Sequence, residues 1–134
     1  MSNSIVVSGR RKRAIAKATI KEGNGEIRVN NKKIEFFPKL NQLELKEPLV
    51  IAEKILGKFN FDISVNVKGG GVSSQTEAAR LAIAKAIVAF TKNESLKKTY
   101  LSYDRNLLVA DTRRKEPYKP RDSKARAKRQ TSYR

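Results

Sequence analysis

Residues 112–134 contain no Val, Ile, Leu, Met or Phe, yet carry ten Lys and Arg against two acids. Such a segment cannot bury enough apolar surface to offset the entropy of ordering it, so by itself it is expected to be disordered and to fold only against a partner. The hydrophobic core must then come from residues 1–111, where aliphatic side chains run throughout and twenty cations stand against eleven acids. A chain of 134 residues with 39% hydrophobic content is of ordinary single-domain size. With about 65% of its unfolded surface buried, such a domain supports a two-layer fold without metals or disulfides. The expected organisation is a globular domain, 1–111, followed by an extended basic tail, 112–134.

The formal net charge is +17. Self-repulsion of that size is normally tolerated when an anionic partner neutralises it, and nucleic acid is the default partner. No membrane is expected, because no uncharged apolar run approaches the ~18 residues that span a bilayer. Only Ile5, Val6 and Val7 precede Arg10, too few for a signal peptide. The absence of Cys fits a reducing cytosol, the expected location, and also fits a secreted chain held by packing alone. Without His or Cys the chain lacks imidazole and thiolate nucleophiles and the commonest metal ligands. No catalysis, cofactor or metal is therefore expected.

Alternation over 14–21 puts Ile15, Lys17, Thr19 and Lys21 on one side and Ala14, Ala16, Ala18 and Ile20 on the other, which reads as a strand. Gly23-Asn24-Gly25 makes a turn, and 27–30 is expected to return as the hairpin partner. Asn30-Asn31 offers a second tight turn before 34–37. Pro48 suits the first position of a helix carrying Leu49, Ala52, Ile55 and Leu56, with Gly57 placed to end it. Phe61, Ile63, Val65 and Val67 alternate with Asp62, Ser64, Asn66 and Lys68, a strand that runs straight into Gly69-Gly70-Gly71. Ser74-Gln75-Thr76-Glu77 matches a capping box. The helix it opens has Ala79, Ile83, Ala86, Ile87 and Phe90 on one face, and Leu81 and Val88 beside Lys85 and Lys92 on the other, so it is expected to be largely buried. Residues 95–101 suggest a shorter helix and 107–110 a last apolar contact.

Basic residues dominate the chemistry. In the tail, Arg113, Arg114, Lys115, Lys119, Arg121, Lys124, Arg126, Lys128, Arg129 and Arg134 are interrupted by Pro117, Tyr118, Pro120 and Tyr133. Planar guanidinium donors match phosphate oxygens, and the two rings can stack on unpaired bases. The blander alternative is a solvated tail that aids solubility, a task acids do better. Gly9-Arg10-Arg11-Lys12-Arg13 crowds four cations together, a repulsion that a phosphate backbone would relieve. An exposed loop or a nuclear address signal explains that run equally well. Gly69-Gly70-Gly71, between a strand and a capped helix and flanked by Lys68 and Arg80, lets backbone N–H groups approach a phosphate. It lacks the Lys-Ser/Thr pair of a Walker loop, and triple glycine is more often a plain tight turn. Asp104, Asp111, Glu116 and Asp122 lie close to arginines, which points to local pairing and chain anchoring rather than to catalysis.

Several stretches together resemble the universal S-nine family of small-subunit ribosomal proteins. They are Gly9-Arg10-Arg11-Lys12 with Ala14 and Ala16, Gly23-Asn24-Gly25, Glu47-Pro48-Leu49, Val67-Lys68-Gly69-Gly70-Gly71 with Gln75, Ala78-Ala79, and Ile83-Ala84-Lys85-Ala86. Tyr103-Asp104-Arg105, Leu107-Leu108-Val109-Ala110-Asp111 and Arg126-Ala127-Lys128-Arg129-Gln130-Thr131-Ser132-Tyr133-Arg134 complete the likeness, which spans nearly the whole chain. The final Ser-Tyr-Arg looks like the archaeal and eukaryotic branch. Thr131 stands where the family often has Lys and Thr112 where it often has Pro, departures that bear only on the path of the tail.

The resemblance implies an α+β fold: a two-layer α/β sandwich with a four-stranded sheet, helices on one face, and the left-handed βαβ crossover of the ribosomal protein S-five domain 2-like fold. It implies a structural, non-enzymatic constituent of the small-subunit head in the cytoplasmic ribosome, beside neighbouring head proteins. Joined to the basic features above, it places ribosomal RNA at Arg10, Arg11, Lys12, Arg13, Lys68, Gly69, Gly70, Gly71, Gln75, Arg80, Arg113, Arg114, Lys119, Arg121, Lys124 and Arg126. Lys128, Arg129, Gln130, Ser132, Tyr133 and Arg134 would meet transfer RNA in the P site. Two rivals stand on composition and fold class: a free-standing nucleic-acid module or RNA chaperone, and an enzyme such as a small-molecule kinase.

Overall fold

The structure, a computed structural model, describes residues 4–58 and 60–113. Among these, five strands form one sheet: β1 (Ile5–Arg11), β2 (Ala14–Glu22), β3 (Ile27–Val29), β4 (Lys32–Lys33) and β5 (Phe61–Lys68). Three helices accompany them, α1 (Lys39–Leu56), α2 (Val72–Thr91) and α3 (Glu94–Tyr103), with 3-10 turns at Ile34–Phe36 and Arg105–Leu107. The sheet order is β1-β2-β5-β3-β4, with β3 and β5 parallel and the other neighbours antiparallel. Most of the expected tail, 114–134, lies outside the described residues.

The expected four strands are corrected to five. Ile5, Val7 and Gly9 turn toward the core on alternate residues, so the N-terminal segment pairs with β2 through a two-residue Lys12-Arg13 turn in which Lys12 takes φ 53°. The basic run is thereby divided between the end of a strand, Arg10 and Arg11, and an exposed tight turn, Lys12 and Arg13. Residues 34–37 do not form a strand. Ile34 anchors a 3-10 turn in the core, and Pro38 confines Phe37 to extended backbone.

The expected hairpin between 14–21 and 27–30 is also corrected, because β5 lies between them. The connecting loop spans the start of β5: Gly23 N–H donates to the Asn60 carbonyl at 3.0 Å, and Asn24 and Glu26 N–H groups each donate to Asp62 Oδ1 at 3.0 Å. Those bonds, Glu26's foremost, hold the Asp62 carboxyl below its ordinary range. The Asn30-Asn31 turn is as expected, with both residues at positive φ.

Helix α1 begins nine residues before the expected start at Pro48, which lies inside it. An interior proline removes one N–H and costs helix stability. Here burial of Leu45, Pro48 and Ala52 outweighs that cost, and Tyr100 of α3 donates its hydroxyl to the Pro48 carbonyl at 2.6 Å. Gly57 ends the helix at φ 76°, as its sequence position suggests.

Helix α2 also starts earlier than the capping box implied: Gly71 is its N-cap, with no side-chain cap, and Ser74 falls within the first turn. Gly69 and Gly70 at φ 80° and 67° swing the chain from β5 directly into the helix. Glu77 is thereby freed for a different partner, described below. The helix is largely buried, as its apolar residues on both faces foretold. It lies on β1, β2 and β5, with α1 beside it and α3 against both.

The core forms between α2 and one face of the sheet, where Ala14, Ala16, Ala18 and Ile20 of β2 alternate inward with Ile63, Val65 and Val67 of β5. Small side chains there let α2 lie close. A Cβ added at Gly9 would fall 2.6 Å from the Ala78 carbonyl oxygen and 2.8 Å from the Ala82 nitrogen. Gly9→Ala should therefore push α2 outward and cost about 1–3 kcal/mol, measured by urea unfolding; an unchanged midpoint would contradict this packing. Among the described residues, the opposite sheet face is open.

Candidate nucleic-acid interface

Pairing of β2 with β5 brings together two features that are far apart in sequence. Ile15 is in register with Lys68, so the glycine turn lies against the β1–β2 turn. A Cβ on Gly69 would sit 2.5 Å from the Arg13 carbonyl oxygen, and one on Gly70 would sit 3.1 Å from the Ala14 nitrogen. Glycine is required there both for positive φ and for this approach. Gln75 secures the turn by donating from Nε2 to the Gly69 carbonyl at 3.1 Å. Arg10, Lys12, Arg13 and Lys68 are exposed along the resulting edge, and among the described residues none of them makes an ion pair. The uncapped start of α2 opens beside them, where helix N–H groups favour an anion.

Arg11 and Arg80 are placed differently from the rest of the expected set. Arg11, inward-facing at the end of β1, donates from Nε to Glu77 at 2.6 Å and lies 3.8 Å from Asp111. Arg80 of α2 pairs through Nη2 with Glu47 of α1, and through Nη1 with Asp104 at 3.3 Å. Its side chain is only 13% exposed, and it stands roughly 13 Å along the helix from the glycine turn. These two arginines line a polar cleft of about 270 Å³ together with Glu44, Asp104, Asn106 and Asp111. Their geometry suits positioning: they tie β1, α1 and α2 to the segment that carries the tail.

Among the described residues, Asp111 is the last anchor of that segment. It accepts Arg113 Nε at 2.9 Å and Nη2 at 2.6 Å, and also the Arg113 backbone N–H at 3.0 Å. These bonds, assisted by the charge of Arg11, hold the Asp111 carboxyl down at about 2. A carboxyl lowered on folding stabilises the fold fully above its unfolded value near 3.8, and that contribution is lost as pH falls toward about 2. Carboxyl NMR should show Asp111 titrating well below the free aspartates; a midpoint near 4 would break the anchor. Pairing of Asp111 with a neighbouring arginine accords with the sequence reading, whereas Asp104 reaches Arg80 rather than Arg105 among the described residues.

Glu116, Asp122 and the expected contacts Arg114, Lys119, Arg121, Lys124, Arg126, Lys128, Arg129, Gln130, Ser132, Tyr133 and Arg134 lie outside the described residues. Among the described residues, no group of three or more metal-binding carboxylates gathers and no helix is long and apolar enough to cross a membrane. Lys17, Lys33 and Arg28 on the open sheet face were absent from the expected set, although the alternation through 14–21 had already put Lys17 on the side away from the alanines.

Residues 9–134 match the family described as Ribosomal protein S9/S16. The chain is 52% identical over 129 residues to the small ribosomal subunit protein uS9 of Methanococcus maripaludis (strain C7), covering 94% of this chain and 95% of that one. The small ribosomal subunit protein uS9 of Methanococcus vannielii is likewise 52% identical over 129 residues, with the same coverage.

Proposed function

Because the chain belongs to the ribosomal protein S9/S16 family, in its archaeal type, we propose that it is a structural constituent of the small ribosomal subunit in the cytoplasm, bound to ribosomal RNA and to neighbouring head proteins. The observation that carries this reading is the convergence of the β1–β2 turn and the glycine turn on one edge rich in cations that, among the described residues, make no ion pair. Arg10, Lys12, Arg13 and Lys68 hold phosphates there, and the backbone N–H groups at the start of α2 add a site for an anion. Arg11 and Arg80 act behind that edge as positioning residues.

The unit 1–111 docks, and 112–134 follows the RNA away from it. Asp111 sets the point of departure. Arg114, Lys119, Arg121, Lys124 and Arg126 neutralise phosphates along that path, and Lys128, Arg129, Gln130, Ser132, Tyr133 and Arg134 contact transfer RNA in the P site. The β3-α1-β5 crossover takes the left-handed form of the S-five domain 2-like fold. No bond is made or broken in this role.

Deleting Tyr133 and Arg134 tests the tail contact. The variant should enter small subunits as the intact chain does, because 112–134 has no aliphatic side chain to give to a core, while P-site transfer RNA dissociates faster from the assembled subunits. Equal retention would refute the terminal contact. Loss of co-sedimentation with small subunits in high salt would favour a free-standing RNA-binding module instead.

A further inference from the structure

Among the described residues, the open face of the sheet carries exposed cations that continue from the basic edge. Its outward residues follow from the register: Arg10, Ile15 and Lys68 form one row across β1, β2 and β5, and Ser8, Lys17 and Asn66 form the next. Lys17 is exposed at the centre, between two small polar side chains. Among the described residues Arg10, Lys17 and Lys68 pair with no carboxylate. The acids of this face, Asp62 and Glu26, gather at its other end, where Asp62 accepts loop N–H groups and Glu26 pairs with Arg28 at 2.6 Å. One half of the face is therefore positive and continuous with the basic edge.

We propose that this half of the sheet face is a docking platform for the backbone of double-helical RNA, with Lys17 at its centre. The proposal rests on the ribosomal RNA reading and names a surface beyond the two turns. A patch of one sign, with no carboxylate to neutralise it among the described residues, attracts an anionic partner. The choice of a duplex follows from what the strands lack: none of their outward positions carries an aromatic ring, so unstacked bases find no stacking surface. Ser8, Ser64 and Asn66 stand low between the cations and can hydrogen-bond phosphates and 2′-hydroxyls, the groups that a wide, shallow A-form minor groove presents.

The test uses the full chain with Lys17→Glu and Asn66→Glu together, positions outside the two turns. Binding is measured against a 20-base-pair RNA duplex, poly(U), and a small-subunit ribosomal RNA fragment over a potassium chloride series. Duplex affinity should fall at least tenfold, with poly(U) affected less. The single variant Lys17→Gln, which is exposed and keeps the fold, should lower the salt slope by about one. Variant binding equal to that of the parent, with the steep salt response intact, would overturn the platform and leave the ribosomal RNA reading standing. A parent chain that binds none of these RNAs would overturn the reading itself. A loss confined to poly(U) would overturn the duplex assignment.

Discussion

Raising monovalent salt from about 50 to about 200 mM is expected to weaken binding of this chain to small-subunit ribosomal RNA by about 10³ to 10⁵-fold. Each phosphate neutralised by Lys or Arg releases a condensed counterion, and six to ten such contacts give a response of this steepness. The supply of cations is ample: thirty Lys and Arg in all, ten of them in 112–134. Arg11 and Arg80 are expected to add little to this response, because their charges are already met by Glu77, Asp111, Glu47 and Asp104. Replacing either should change folding stability more than salt slope. Filter binding across a potassium chloride series provides the measurement. A nearly flat plot of log affinity against log salt would remove phosphate neutralisation as the source of affinity.

Tyr100→Ala is expected to cost about 3–5 kcal/mol of folding stability, the range for removing a large buried aromatic. Tyr100 is 0% exposed, and its hydroxyl links α3 to the Pro48 carbonyl of α1. Truncation opens a cavity and breaks that link. Since domains of this kind hold only about 5–15 kcal/mol in total, the variant should sit near its unfolding threshold at 37 °C. Tyr100→Phe keeps the ring and should cost about 1 kcal/mol. Burial pushes the phenol well above its ordinary value, so this stabilisation is present below about pH 10 and declines at higher pH, as the unfolded chain ionises first. Urea unfolding measures both variants; a Tyr100→Ala cost below about 1 kcal/mol would show that α3 is not part of the cooperative core.

The strand and helix faces that build the core are legible in residue order. Alternation in β2 and β5 and the apolar face of α2 are local patterns, set by side chains two or four residues apart. Local signals misled where a distant contact was stronger. Pro48 reads as a helix start, yet Leu45, Ala52 and Tyr100 hold it inside α1. Ser74 and Glu77 read as a capping box, yet Glu77 answers Arg11 from another element. The Gly-Asn-Gly turn reads as a hairpin, yet Asp62 draws the loop across β5.

The candidate site divides in the same way. The order of residues alone identified the cations, the three consecutive glycines and a terminal stretch too polar for a core, because charge and the absence of aliphatic side chains are properties of composition. It could not say which arginines are available to a partner. Four consecutive cations look alike in a sequence, but strand alternation turns Arg11 inward to Glu77 and Asp111 and Arg10 outward, while the turn after β1 leaves Lys12 and Arg13 outside. Only the folded chain decides that, since ion pairing depends on which carboxylates β1, α1 and α2 bring within a few ångströms of each other.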